Sequence, residues 1–141
     1  MDIKIEFIDG GLNEDRESFA LVKLNSGETF HGKAKCHPDD FCSKYSGCKI
    51  AEMRAVRKAY KFLLKQEKEE LYRLENFVKA VECYKQFDKK SKTARCVYRQ
   101  LNRHKRKVKS LINAIARNEK YEKEYIANLD KLNQKEKAKE D

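Results

Sequence analysis

The sequence predicts an α+β fold: a small N-terminal antiparallel three-stranded sheet followed by a long, coiled-coil-like antiparallel helical hairpin. Three observations predict it. Apolar residues alternate in strand fashion up to Cys36 and recur at helical spacing from Lys49 onward. The change of period is confined to Cys36–Gly47, which holds the only proline, Pro38, and the last glycine, Gly47. Three regions follow: 1–47 as the sheet, 48–134 as a basic helical hairpin packed on or projecting from it, and 135–141 as a charged tail.

Ile3–Ile8 (IKIEFI) reads as the first strand, with Ile3, Ile5 and Phe7 on one face and Lys4 and Glu6 on the other. Asp9-Gly10-Gly11 signals a turn or bulge, and Leu12–Glu17 a polar loop. Ser18–Leu24 and Thr29–Cys36 form a hairpin across Asn25-Ser26-Gly27-Glu28, and Gly32 inside the third strand signals a bulge or a close backbone approach. His37-Pro38-Asp39-Asp40 ends the strand and caps a short helical turn at Phe41–Tyr45, which Gly47 breaks.

Neither glycine nor proline interrupts Lys49–Gln86. Ile50, Met53, Val56, Tyr60, Leu63 and Leu64, then Leu71, Leu74, Val78 and Val81, line one helical face. The apolar residues lapse at Gln66–Glu70, so the segment reads as one helix or as two joined by a kink there. Phe87–Lys92 is a break with Asp88 or Ser91 as N-cap. The second helix spans about Thr93 to Leu132. Its seam is Val97, Leu101, His104, Val108, Leu111, Ile115, Tyr125, Leu129 and Leu132. Each seam needs a cover, and a short link makes them cover each other. Lys135–Asp141 is expected to fray.

The chain is 40% hydrophobic and 40% charged, which suits long solvated helices better than a thick core. No apolar run reaches membrane-spanning length, and Asp2, Lys4 and Glu6 interrupt any signal peptide. Five irregularly spaced cysteines do not form a secreted disulfide framework, so a cytoplasmic protein is expected. The net charge of +10 is unevenly placed. Residues 1–48 carry 6 Lys/Arg against 9 Asp/Glu, whereas Lys85–Lys109 carries 11 basic residues and one acid, Asp88. A focused patch of this kind points to a polyanionic partner.

On a helical wheel, Lys92, Arg95, Arg99, Arg103, Arg106 and Lys109 fall on one side, with Lys107 a little further round. Val97, Leu101, Val108 and Leu111 fall on the other. Lys89 and Lys90 extend the basic face into the link. Arginine predominates, and its planar fork suits phosphate. A plain solvated surface would mix signs, yet acids are absent from Lys89 to Asn118.

Cys36, His37, Cys42 and Cys48 include enough donors for a zinc ion, but lack the paired knuckle spacing, and no required metal site or other cofactor is expected. Cys83 and Cys96 are expected near the hairpin end as small buried hydrophobes. Asp39 and Asp40 beside His37 read as a capping turn rather than an acid–base site, His31 is isolated, and His104 reads as a satisfied seam residue. No phosphate-cradling glycine loop, nucleophile elbow or HExxH occurs. Catalysis is not expected.

The run SFALVKLNSGETFHGKAKC followed by GCKIAEMRAVRKAYKFLL resembles the C-terminal half of a double-stranded-RNA-binding domain. The first helix of that family is missing, and CHPDDFCSKYS stands where its phosphate-contacting lysines begin, so no RNA contact is carried over. The pattern formed by Gly32, Ala34, Cys36, His37, Pro38, Asp40, Phe41, Gly47, Ala51, Arg54 and Ala55 is similar to small uncharacterised proteins of phages and prophages in Gram-positive bacteria. That resemblance covers about a quarter of the chain and implies a mobile-element origin. The expected role is therefore a non-enzymatic, anti-CRISPR-like inhibitor that meets a host defence nucleoprotein complex through the basic end of the hairpin. Direct binding to double-stranded nucleic acid, RNA above all, is the alternative. A structural coiled-coil homodimer is the third class.

Overall fold

The computed structural model describes residues 4–13, 17–35, 44–84 and 86–140. Strands β1 (Ile5–Leu12), β2 (Glu17–Leu24) and β3 (Thr29–Lys35) form one antiparallel sheet in the order β1-β2-β3. Helices α1 (Lys44–Glu82) and α2 (Lys92–Glu140) follow, so the architecture is α+β as the change of period implies. Contacts divide the chain into two compact units, Met1–Tyr60 with Ile115–Asp141, and Lys61–Ala114.

In the first unit β2 alternates as a half-buried strand should. Ser18, Ala20, Val22 and Leu24 are buried, and Phe19 and Leu21 on the other face are half-buried. Leu24 N donates to Glu28 O at 2.9 Å and Gly27 N to Leu24 O at 3.0 Å, closing the β2–β3 hairpin over Asn25-Ser26-Gly27. β1 runs further than the alternation suggests, to Leu12. Asp9-Gly10-Gly11 does not turn the chain: the register shifts between Phe7 and Asp9, and both glycines stay paired with β2.

Gly32 is the close approach its position in a strand suggests. A Cβ there would lie 1.8 Å from the carbonyl oxygen of Ala51 and 2.6 Å from the amide nitrogen of Ala55. The α1 backbone therefore rests directly on β3, with Ala20, Ala34 and Ala51 as the core and Ile50 packed against them. Gly47 corrects an expectation. It does not break a helix but lies inside α1, where a Cβ would stand 2.1 Å from Ser18 Oγ. The missing side chain again serves proximity rather than a turn. Of the expected turn at Phe41–Tyr45, residues 41–43 lie outside the described residues, and Lys44 and Tyr45 already belong to α1.

α1 passes through Gln66–Glu70 as one helix and ends at Glu82, four residues before the expected Gln86. α2 begins at Lys92 and continues past Leu132 to Glu140, through most of the stretch expected to fray. Every expected seam residue of α1 is at least half-buried, and Met53 and Val78 are buried. On α2, Leu101 and Leu111 are buried, but Leu132 is exposed and does not belong to the seam. Inside Lys61–Ala114 the helices run antiparallel, because the Tyr98 hydroxyl donates to Glu82 Oε1 at 2.6 Å while His104 Nδ1 lies 2.8 Å from Glu67 Oε2.

Candidate nucleic-acid interface

The turn that opens α2 is built from short polar side chains. Asp88 accepts from Lys90 N at 2.9 Å through Oδ1 and from Ser91 N at 3.1 Å through its carbonyl. Ser91 Oγ then accepts from Ala94 N at 3.2 Å, and its carbonyl from Arg95 N at 3.0 Å, which makes Ser91 the N-cap. With the first turn fixed, helical phase places Ala94, Leu101 and Leu111 inward, all buried. The same phase leaves Lys92, Arg95, Arg99, Arg103, Arg106 and Lys109 exposed, together with Lys89 and Lys90 in the link.

Of the nine basic residues singled out by sequence, Lys107 alone turns aside. Its Nζ lies 3.8 Å from Glu67 Oε1, and its side chain is only half-buried. Arg106 Nε makes a long 3.4 Å contact to the carbonyl of Asn102, leaving the rest of its guanidinium outward. Among the described residues no carboxylate pairs with Lys89, Lys90, Lys92, Arg95, Arg99, Arg103 or Lys109.

This placement works against the helix that carries it. The first turn of α2 has no acidic residue and presents Lys92 and Arg95 to the positive end of the helix dipole. Arg95, Arg99 and Arg103 then repeat at four-residue intervals, a like-charge spacing that costs about 0.2–0.5 kcal/mol per pair. Neither arrangement helps the chain fold.

Two neighbours were not singled out by the sequence pattern. Lys105 is exposed and adds charge at the margin of the face. Tyr98 stands among the arginines, and its hydrogen bond to Glu82, aided by burial and by the nearby charge, holds its phenol above the ordinary value. It therefore stays neutral and adds no negative charge beside the basic face. The signal for Tyr98 was present in the interleaving of aromatic with basic residues, from Phe87 through Tyr98, in the most basic stretch of the chain.

A second polar cluster, in the unit containing the sheet, also escaped the apolar pattern. Glu122 is buried on α2 and takes Arg54 Nε at 2.5 Å on Oε1 and Arg57 on Oε2. Arg57 Nε also donates to Asn118 Oδ1 at 3.0 Å, Asn118 Nδ2 to Met53 O at 3.1 Å, and Arg54 to Lys33 O at 2.8 Å. Burial pushes the Glu122 carboxyl up, but the bonds and charges of Arg57 and Arg54 together outweigh it and hold the group below the ordinary carboxylate value. Among the described residues no buried side-chain nitrogen or oxygen lacks a partner, so the cluster joins elements rather than offering a site.

Of the zinc candidates, Cys36, His37 and Cys42 lie outside the described residues, as do Asp39 and Asp40. Cys48 is half-buried, with Sγ 3.8 Å from the carbonyl of Gly11. Among the described residues no group of three His, Cys, Asp or Glu side chains is placed to hold a metal ion. Cys83 and Cys96 are both exposed thiols, not the small core residues expected, because each falls on the outward side of its segment near the link. His104 is satisfied by Glu67, and His31 is exposed on β3. Among the described residues no helix is long and apolar enough to cross a membrane. The chain matches no protein-family model, no curated protein and no solved structure.

Proposed function

We propose that this chain is a non-enzymatic binding protein that grips a nucleic-acid phosphate backbone with Lys89, Lys90, Lys92, Arg95, Arg99, Arg103, Arg106 and Lys109. One observation carries the reading: these cations are exposed, without acidic partners among the described residues, and set against the helix dipole and against one another. Charge placed at a cost to folding is explained by a polyanion that repays it on binding. The similarity of the Gly32–Ala55 pattern to phage and prophage proteins supplies the setting. There the phosphates belong to a host defence nucleoprotein, and occupying them inhibits its nuclease in the manner of an anti-CRISPR protein in the bacterial cytoplasm.

The test is Arg95→Glu, Arg99→Glu and Arg103→Glu together. All three side chains are exposed, so the helix content and unfolding midpoint are expected to stay near wild type. Binding is measured across a salt titration to free RNA and DNA duplexes and to a reconstituted CRISPR nuclease–guide complex. Binding that weakens steeply with salt in the wild type and disappears in the triple variant supports the reading. Loss seen only with the assembled complex identifies the inhibitor, and loss with free duplex identifies a direct binder. A triple variant that binds every partner as wild type does removes the basic face from function.

A further inference from the structure

Where α1 ends and α2 begins, the chain encloses a hollow of about 310 Å³ within the Lys61–Ala114 unit. Its walls are apolar and aromatic: Phe77, Val78 and Val81 from the end of α1, Phe87 from the link, and Val97 and Tyr98 from α2. Phe77 is 54% exposed there, an unusual position for a phenylalanine with a neighbouring seam to join. Tyr98 is pinned at the wall by its bond to Glu82. Gln86 and Thr93 also line the hollow, and neither side chain has a hydrogen-bond partner among the described residues.

The surroundings say what such a hollow would hold. Wall residues and cations alternate along the chain: Asp88, Ser91, Thr93, Ala94, Val97 and Tyr98 line it, while Lys89, Lys90, Lys92 and Arg95 fall between them, Arg99 follows, and all five are exposed. Asp88, the acidic group in the lining, is already engaged by the amide of Lys90. An aromatic recess whose lining alternates along the chain with exposed cations matches a ligand that carries a flat ring beside a negative charge, and a nucleotide is such a ligand. The size is at the lower end of the roughly 300–1,000 Å³ of small-ligand sites, which suits one ring system and not a larger molecule.

We infer that this recess receives the base of an unpaired RNA nucleotide whose flanking phosphates lie on Lys89, Lys90, Lys92 and Arg95. The inference rests on the phosphate-binding reading above and adds to it a preference for single-stranded over duplex segments. In a duplex the bases are stacked and paired, so none can enter. In RNA loops and ends they are splayed out and stack on aromatic side chains. RNA is the source because it presents such bases without prior unwinding, whereas cellular DNA is held as duplex. Phe77 and Tyr98 supply the stacking surface, and the free amide of Gln86 and hydroxyl of Thr93 supply donors and acceptors for the base edge.

The experiment uses the full chain and three probes: a mixed-sequence single-stranded RNA, an abasic strand with the same number of phosphates, and the DNA strand of the same sequence. Fluorescence anisotropy at fixed salt is expected to show the RNA bound between about fivefold and about a hundredfold more tightly than the abasic strand, the range of one stacked base. Phe77→Ala is expected to remove that margin while leaving abasic binding unchanged, and Phe77→Tyr to keep it. Equal affinity for RNA and abasic strands overturns the recess but leaves the phosphate reading standing. Binding to none of the probes overturns the recess, with the phosphate reading then decided by the assembled complex, and DNA bound as tightly as RNA overturns the assignment to RNA.

Discussion

Among the described residues of the unit formed by Met1–Tyr60 and Ile115–Asp141 the buried apolar side chains are mostly alanines, namely Ala20, Ala34, Ala51, Ala55 and Ala59, alongside Val22, Leu24 and Met53. In Lys61–Ala114 they are Val78, Leu101 and Leu111 with a lone alanine, Ala94. The first set lets a helix backbone lie on a strand backbone. The second keeps two helices apart at side-chain distance. A backbone-to-backbone contact has nothing to trim and no room to add, so it is sensitive to enlargement. A side-chain seam is sensitive to truncation, and it leaves the outer helix faces free for any chemistry, which in α2 is a row of cations.

The largest effect is expected at Gly32. Gly32→Val puts atoms where the Ala51 carbonyl already stands, and the obstacle is main chain that cannot rotate away. The cost should reach at least about 3 kcal/mol, the upper end for overpacking, and the first unit should lose its cooperative transition in urea. In the second unit the damaging change is the opposite one. Leu101→Ala, at a buried seam position, should cost about 2–5 kcal/mol through the cavity it leaves. A Gly32→Val protein that unfolds at the wild-type midpoint would refute the close approach of α1 and β3.

That contrast also explains what could be read from the sequence and what could not. The sheet, the hairpin and the basic face were legible because each is a periodic pattern of large side chains or charges. Gly32 was legible because glycine inside an alternating strand has few explanations. Gly47 was misread as a breaker, since only the Ser18 side chain opposite it, far away in sequence, reveals why a glycine is needed. Ala51 and Ala55 lie on α1 where its backbone meets β3, yet a search for large apolar residues passes over them. Glu122 was missed for a related reason. The seam of α2 lapses between Ile115 and Tyr125, and a buried acid is recognisable there only once Arg54 and Arg57 are seen opposite it.

A middle-sized effect is expected from Glu122→Gln. The side chain is 9% exposed and receives two guanidinium groups, one of which, Arg57, is itself 19% exposed. An amide keeps the shape but loses the charge, and the expected loss is about 2 kcal/mol, within the range for hydrogen bonds to charged groups. Acidity provides the check on mechanism. The folded carboxyl is held below its ordinary value, so its stabilising contribution is fully present above that value and is lost as pH falls through the lowered one. Wild type and Glu122→Gln should therefore differ in urea midpoint at neutral pH and converge well below pH about 4. A difference that survives strong acid unchanged would mean that the amide fails for reasons of shape, not charge.

The smallest effect is expected at the corresponding cluster in the other unit. Glu67 Oε2 lies 2.8 Å from His104 Nδ1, and its second oxygen lies 3.8 Å from Lys107 Nζ. It too is a carboxylate on one helix facing nitrogen donors on the other. Its side chain is 22% exposed, however, and its partners are 26% and 34% exposed, so water screens the pair and competes for it. Glutamine at position 67 can still hydrogen-bond the imidazole, and the Lys107 contact is long enough to contribute little. Glu67→Gln should then cost no more than about 0.5–1 kcal/mol in the same urea measurement. If it costs as much as Glu122→Gln, burial is not what separates the two clusters, and the side-chain seam of Lys61–Ala114 is as dependent on charge as the sheet-bearing unit.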